Sequence, residues 1–311
     1  MSSLFDFDKP ADAYAVMGNP INHSKSPQIH AAFAAQTGQR IVYSATQVDP
    51  GGFKQAVGNF FAQNGKGLNI TVPFKREAWA LASELGPEAK LAGAVNTLLM
   101  NKEGELVGRN TDGVGLVRDI LLNHGGRIEG QKVLLIGAGG AARGVLQPLL
   151  AEAPAELLIV NRTPNRAYEL AADFTASCQE LNVGISANVV PNNASNNVSN
   201  KSAIKGAGFD ELTNLGKSFD IIINATAASL QGEVPPLPDE CCSTNTWCYD
   251  MMYGAEPTPF MQWCEQRGAK VTLDGLGMLV EQAAESFLHW RGVRPETAPV
   301  IQKIRSALAN H

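Results

Sequence analysis

The chain reads as a two-domain α/β protein, and three observations carry that reading. In its first third, short apolar segments alternate with amphipathic helical ones. In its middle, Lys132-Val133-Leu134-Leu135-Ile136 is apolar through its last four residues, as a strand covered on both faces should be, and a glycine-rich turn follows at once. A length of 311 residues with 44% hydrophobic composition is enough to bury two cores.

Taken in order, the first domain opens with a strand at Tyr14 to Met17 and a helix from Pro27 to Gln36. A strand at Ile41 to Gln47, a helix near Phe53 to Gln63 and a strand at Leu68 to Val72 follow. The spacing predicts a helix from about Lys75 to Leu85, then a hairpin of Ala94 to Met100 and Glu105 to Gly108 around the turn Asn101 to Gly104. Asn110-Thr111-Asp112-Gly113 is a helix start for the apolar face of Val114, Val117 and Leu121. After the central run at 132–136, further buried strands are expected at Glu156 to Val160, Asp220 to Ile223, Thr246 to Tyr249 and Lys270 to Leu273. That strand count suits a doubly wound parallel sheet of the Rossmann type. The polar tract Pro191 to Asn200 has little to bury and reads as a surface insertion near 188–204. Its Asn-x-Ser triplets match glycosylation acceptors, but without a secretory signal they are most simply chance products of an Asn/Ser-rich loop. From Gly277, Leu279, Ala283, Phe287 and Trp290 keep helical spacing, and this tail is long enough to pack back on the first domain. The expected division is 1–112 and 113–274, followed by the tail 275–311.

Composition removes several classes of function. A net charge of -5 without any basic run interleaved with aromatics argues against nucleic acid as a partner. The first ten residues lack a basic start and apolar run, and no apolar stretch is long enough for a membrane span, so no membrane association and a cytoplasmic location are expected. Five cysteines without a CxxC pair fit a reducing compartment, and the scattered histidines make no metal site; His23 and His30 read as solvated or packed.

Gly137, Gly139 and Ala142 form a GxGxxA pattern between a strand and a helix, the context that gives the pattern its mechanism. Gly137 permits the tight turn, Gly139 admits the backbone to a pyrophosphate, Ala142 allows close helix packing, and the helix start offers N–H donors; a glycine-rich turn without ligand is the competing reading. Where an NAD site would place an acidic residue, the chain has Asn161-Arg162-Thr163, with Arg166 beyond. A carboxylate would repel a 2′-phosphate, whereas these arginines would bind one, so NADP is expected over NAD; capping of a solvated helix is the alternative.

A nicotinamide enzyme also needs a proton donor and a hold on its substrate. Lys75 stands where a helix begins, directly after Pro73-Phe74, although the positive end of the helix dipole favours Asp or Glu there. A desolvated lysine with a lowered pKa carries protons, and local rules are broken where function requires it; a solvated side chain at a frayed start explains it as well. Ser24 and Ser26 precede a helix and suit a carboxylate, or Ser26 is only an N-cap. Thr71 offers a hydroxyl, Asn96 an amide that would be costly if buried unpaired, and Asp112 a carboxylate or a helix cap.

Together and in this order, these segments resemble those of the shikimate dehydrogenases. The resemblance runs from Tyr14 to about Leu308 and includes Gly18-Asn19-Pro20, SKSP, NITVPFK, AGAVNT, NTDGVG, GAGGAARG, NRT, INAT, YDMMY and DGLGMLVEQAA. It implies reduction of 3-dehydroshikimate to shikimate with NADPH on the way to chorismate and the aromatic amino acids, with Lys75 and Asp112 as the catalytic pair. It further implies that 275–311 returns to complete the substrate domain 1–112, and it implies substrate contacts at Ser24, Ser26, Thr71, Asn96, Tyr253 and Gln282. Cofactor contacts fall on Gly137, Ala138, Gly139, Gly140, Ala141, Asn161, Arg162, Thr163, Arg166, Thr226, Met251 and Gly275, and a homodimer is left open. Two departures stand out: Ala227 and Ala228 follow Thr226 where many relatives have serines, and Pro87 occupies a place often acidic. A catabolic quinate or shikimate dehydrogenase using NAD and a nonenzymatic NADP-responsive regulator are the rival readings. The first is opposed by the arginines after Asn161, the second by the presence of both Lys75 and Asp112.

Overall fold

The computed structural model describes residues 10–180 and 203–309. The first part of the chain forms β1 (Asp12–Gly18), α1 (Ser26–Thr37), β2 (Ile41–Gln47), α2 (Phe53–Ala62), β3 (Gly67–Ile70) and α3 (Lys75–Leu81). It continues through β4 (Glu84–Leu85), α4 (Pro87–Ala92), β5 (Thr97–Met100), β6 (Leu106–Arg109) and α5 (Asp112–Arg118), which runs on as one π-helical turn at Asp119–Asn123. Then come β7 (Lys132–Ile136), α6 (Gly140–Ala151), β8 (Glu156–Val160), α7 (Pro164–Glu180), β9 (Ala203–Ala207) and α8 (Phe209–Leu215). The chain ends with β10 (Ile221–Asn224), β11 (Trp247–Asp250), α9 (Pro259–Gln266), β12 (Val271–Asp274), α10 (Leu276–Arg291) and α11 (Ala298–Ala309).

These strands make two sheets. The second has the order β12-β11-β10-β7-β8-β9 and is parallel throughout, the doubly wound arrangement expected, with its order reversing between β7 and β10. Its central strands β7, β8 and β10 are apolar without alternation because both faces are covered: Val133, Leu135 and Ile159 pack toward Val145, Leu149 and Leu170 of the flanking helices. Leu134, Ile136 and Ile222 point the other way, onto Phe219, Phe260 and Cys264. The first sheet has the order β2-β1-β3-β5-β6-β4 and is mixed, parallel through β2, β1 and β3 and antiparallel at β3 with β5 and β5 with β6. The hairpin of β5 and β6 is thus present as expected. α10 packs on α1 and α5, and Trp290 near its end lies against Tyr14 of β1 and donates to the Leu98 carbonyl of β5 at 3.2 Å.

Several expected limits differ. The strand expected to reach Val72 stops at Ile70, since the chain turns over Thr71 to Phe74, where Phe74 N–H donates to the Thr71 carbonyl at 3.0 Å and Pro73 has no N–H to give. The helix expected to reach Leu85 ends at Leu81, because Ser83 N–H donates to the Leu106 carbonyl at 2.8 Å and draws the next residues into the sheet as β4. α4, β9 and α11 were not anticipated. The expected insertion at 188–204 lies largely outside the described residues, and its last two positions, Ala203 and Ile204, already belong to β9.

Candidate active site

Lys75 is the first residue of α3, at the dipole end that the sequence marked as unfavourable. Phe74 immediately before it is fully buried and stacks on Phe53 at 4.9 Å between ring centroids. Burying such a ring contributes about 1.5–3 kcal/mol, which anchors the turn that presents the lysine. Asp112 is the first residue of α5, where the dipole favours a carboxylate. The two meet: Lys75 Nζ lies 2.6 Å from Asp112 Oδ2, the side chains about a quarter and a tenth exposed. This contact replaces the helix-cap reading of Asp112, and neither α3 nor α5 has a side-chain cap.

Asn96, in the turn leading into β5, holds the other carboxylate oxygen: its Nδ2 donates to Asp112 Oδ1 at 2.8 Å. Its Oδ1 accepts from Thr111 N–H at 3.0 Å and from the Thr97 hydroxyl at 2.9 Å, so the buried amide has partners at both ends. Gln282 of α10 reaches the same group from the carboxyl-terminal segment, its Oε1 lying 3.4 Å from Asn96 Nδ2 and 3.3 Å from the Thr111 hydroxyl.

A cleft of about 340 Å³ opens over the pair. All eight residues expected around the substrate line it: Ser24, Ser26, Thr71, Lys75, Asn96, Asp112, Tyr253 and Gln282. Ser26 is the first residue of α1 and not its cap; the Ser24 hydroxyl accepts from its N–H at 3.3 Å. Burial pushes the Tyr253 phenol up, which keeps it a neutral O–H donor. Met251 and Gly275, expected at the cofactor, also line this cleft, on its wall from the parallel sheet. Met278, His23 and Lys25 line it too; the sequence reading had not singled them out for the site.

The cofactor residues divide between two further hollows at the carboxyl ends of β7 and β8. Ala138, Gly139, Gly140 and Arg166 line one, together with Arg143 and Arg76. Gly137, Asn161, Arg162 and Thr226 line the other, along with Ala227 and Ala228. Thr163 lies beside this hollow, its carbonyl accepting from Asn161 Nδ2 at 3.0 Å, and Ala141 packs on the core beneath the helix instead of facing either space. The glycine loop fits a dinucleotide. Gly137 has φ +110°, open to glycine, and side chains added at Gly139 or Gly140 would meet no protein atom within 4 Å and would fill the space beside the start of α6. Arg143, missed by sequence reasoning, stands in the first turn after the glycines, and that position was its signal. Pro87 begins α4 and lines none of these three spaces.

His30 is packed, as one of its two sequence readings had it. It is fully buried and stacks on Tyr43 at 4.2 Å; among the described residues neither ring nitrogen has a hydrogen-bond partner, and burial pushes its pKa down to about 3. The five cysteines are free and buried, no group of residues able to hold a metal occurs among the described residues, and no described helix is long and apolar enough to cross a membrane.

Comparison with known proteins agrees with this arrangement. The substrate-binding domain model of shikimate dehydrogenase matches residues 16–98, the shikimate/quinate 5-dehydrogenase model 119–190 and the shikimate 5′-dehydrogenase carboxyl-terminal model 275–305. The chain is 56% identical over 294 residues to the NADP(+) shikimate dehydrogenase of Nitrosococcus oceani, covering 94% of this chain and 95% of that one. Among solved structures it is similar to an Ael1 enzyme from Pseudomonas putida, with a TM-score of 0.79, 41% identity and coverage of 94% and 98%. It is also similar to the shikimate 5-dehydrogenase of Thermus thermophilus in complex with NADP(H) and shikimate, with a TM-score of 0.77, 28% identity and coverage of 96% and 100%. With a curated relative above half identity across nearly its whole length, the chain belongs to the shikimate dehydrogenase family.

Proposed function

We propose that this chain is an NADP-dependent shikimate dehydrogenase, reducing 3-dehydroshikimate reversibly to shikimate in the route to chorismate and the aromatic amino acids. The observation that carries the reading is the Lys75–Asp112 contact at 2.6 Å, in a cleft walled on one side by the mixed sheet and on the other by Met251 and Gly275 of the parallel-sheet side. NADPH, when bound, would supply the hydride for the substrate carbonyl carbon. Lys75 gives its proton to the carbonyl oxygen as that oxygen becomes a hydroxyl, and takes one back in the reverse direction. Asp112 holds the ammonium in place and balances its charge, and Asn96 fixes the carboxylate from the other side. Ser24 and Ser26 bind the substrate carboxylate, helped by the N–H groups at the start of α1, while Thr71, Asn96, Tyr253 and Gln282 surround the ring.

Gly137 to Gly140 would hold the pyrophosphate at the start of α6. Arg162 and Arg166, with Asn161 and Thr163, would hold the 2′-phosphate; the exposure of both arginines just past the end of β8 supports this assignment. Met251 and Gly275, which line the substrate cleft, would bound the nicotinamide end, while Thr226 shares the hollow of Arg162, where Ala227 and Ala228 add no side-chain donors. The substrate domain is 1–112 completed by 275–311, the cofactor domain 113–274, a division supported by the packing of α10 on α1 and by Trp290 against Tyr14. Five free cysteines support a cytoplasmic location.

Following nicotinamide absorbance with shikimate and quinate, each against NADP and NAD, tests the reading. Shikimate with NADP should give the highest kcat/KM. Quinate turnover with NAD would assign the chain to the catabolic type, and NADPH binding without turnover would make it a regulator.

A further inference from the structure

Behind the cleft lies a run of buried polar groups that ends on Asp112. We propose that Tyr43 and Ser286 are positioning residues in a one-way chain of hydrogen bonds that sets the Asp112 carboxylate for Lys75; the proposal rests on reading those two residues as the catalytic pair.

The chain can be followed atom by atom. The Tyr43 hydroxyl donates to Asn69 Oδ1 at 2.7 Å, and it also lies within reach of Ser26 at the carboxylate end of the cleft. Asn69 Nδ2 donates to Ser286 Oγ at 3.0 Å. Ser286 Oγ and Thr97 Oγ1 are 2.7 Å apart, Thr97 donates to Asn96 Oδ1 at 2.9 Å, and Asn96 Nδ2 donates to Asp112 Oδ1 at 2.8 Å. Asn69, Asn96, Thr97 and Ser286 are at most 6% exposed.

The direction follows from counting protons. Both amides are oriented by partners that admit one choice. Asn96 must turn its oxygen to the Thr111 N–H and its nitrogen to a carboxylate that only accepts. Asn69 must turn its nitrogen to the Asn96 carbonyl, 3.2 Å away. A hydroxyl has one proton. If Thr97 donates to Asn96, the 2.7 Å contact with Ser286 needs the Ser286 proton, which the more distant Gln282 carbonyl at 3.1 Å would otherwise take, and Ser286 in turn accepts from Asn69. Every donor then points toward Asp112, and successive hydrogen bonds in a buried chain polarise one another in the same sense. Ser286 is the only one of these groups on α10, so its hydroxyl also ties the carboxyl-terminal helix to the elements that carry the pair.

Tyr43→Phe and Ser286→Ala each delete one hydroxyl and should be assayed with shikimate and NADP, singly, together, and each in a Lys75→Ala background. Expected are a kcat about three- to tenfold lower for each single variant, from the worth of one hydrogen bond, and KM for both substrates within about twofold. The double variant should be about as slow as the slower single, because one chain is interrupted twice, and neither deletion should slow Lys75→Ala further. Losses that multiply in the double variant, an unchanged kcat, or a rise in KM with kcat kept would each overturn the proposal. Should Ser286→Ala fail to fold by thermal melting, Tyr43→Phe alone and in the Lys75→Ala background decides the matter. Full turnover by Lys75→Ala overturns the catalytic pair and the chain with it, whereas a slow Lys75→Ala with silent hydroxyl deletions overturns the chain alone.

Discussion

Replacing Lys75 by alanine should cost turnover while leaving binding and folding largely intact. The proton donor is lost outright, and general acid catalysis is worth about 10² to 10⁴ in rate, or roughly 2.7–5.5 kcal/mol of barrier. KM for shikimate should stay within a few fold, because Thr71, Asn96, Tyr253 and Gln282 still line the cleft. Asp112 keeps its Asn96 partner at 2.8 Å, and with its side chain a tenth exposed it can still reach water, so the stability loss should be no more than about 1–2 kcal/mol. Lys75→Arg separates charge from proton transfer: the guanidinium pairs with Asp112 but holds its proton at every working pH, so kcat should remain within about tenfold of the alanine variant. The assay is steady-state nicotinamide absorbance with both substrates varied, alongside a thermal melt. Recovery of near-parental kcat by Lys75→Arg, or a large rise in KM with kcat preserved in Lys75→Ala, would refute the role of the lysine as acid.

Arg162→Ala should raise KM for NADP about tenfold, the worth of one charge-assisted hydrogen bond to an exposed phosphate, and leave KM for NAD unchanged; a variant with the parent's preference for NADP would remove Arg162 from the site. His30 gives a pH prediction with a definite sign. Its folded pKa is depressed from 6.5 to about 3, so the unfolded chain binds the extra proton between those values. The contribution of neutral His30 is complete above pH 6.5 and is lost as pH falls toward 3, reaching roughly 2–3 kcal/mol at pH 4.5. Denaturant titrations from pH 7 to 4.5 should therefore show the stability of the parent falling more steeply than that of His30→Phe, and parallel curves would contradict the argument.

Local pattern made most of the fold legible. The strand at 132–136, the turn at Gly137 and the helix beyond it rest on neighbouring residues, whose burial on both faces and freedom at positive φ are written in the sequence itself. Elements were misjudged where the deciding partner is distant: Ser83 leaves its helix because Leu106 offers a carbonyl, and nothing near Ser83 announces that. Short α4 carries too few residues for a periodic signal, and the edge strand β9 holds Lys205 and Gly206 in place of a continuous apolar run.

The site divides in the same way. Lys75 was visible as a cation at the wrong end of a helix, and Arg162 and Arg166 as bases where a carboxylate was expected, because both are local departures from local rules. The resemblance supplied Asp112, Asn96, Tyr253 and Gln282 as members of one site, but not their contacts. Only the tertiary structure decided that Asp112 faces Lys75 from 37 residues away, or that Ser286 meets Thr97 across 189 residues. Those pairings depend on α10 returning against the first sheet and on amide and hydroxyl groups sharing a limited supply of protons in a buried space. That is a property of packing, which no single stretch of sequence contains.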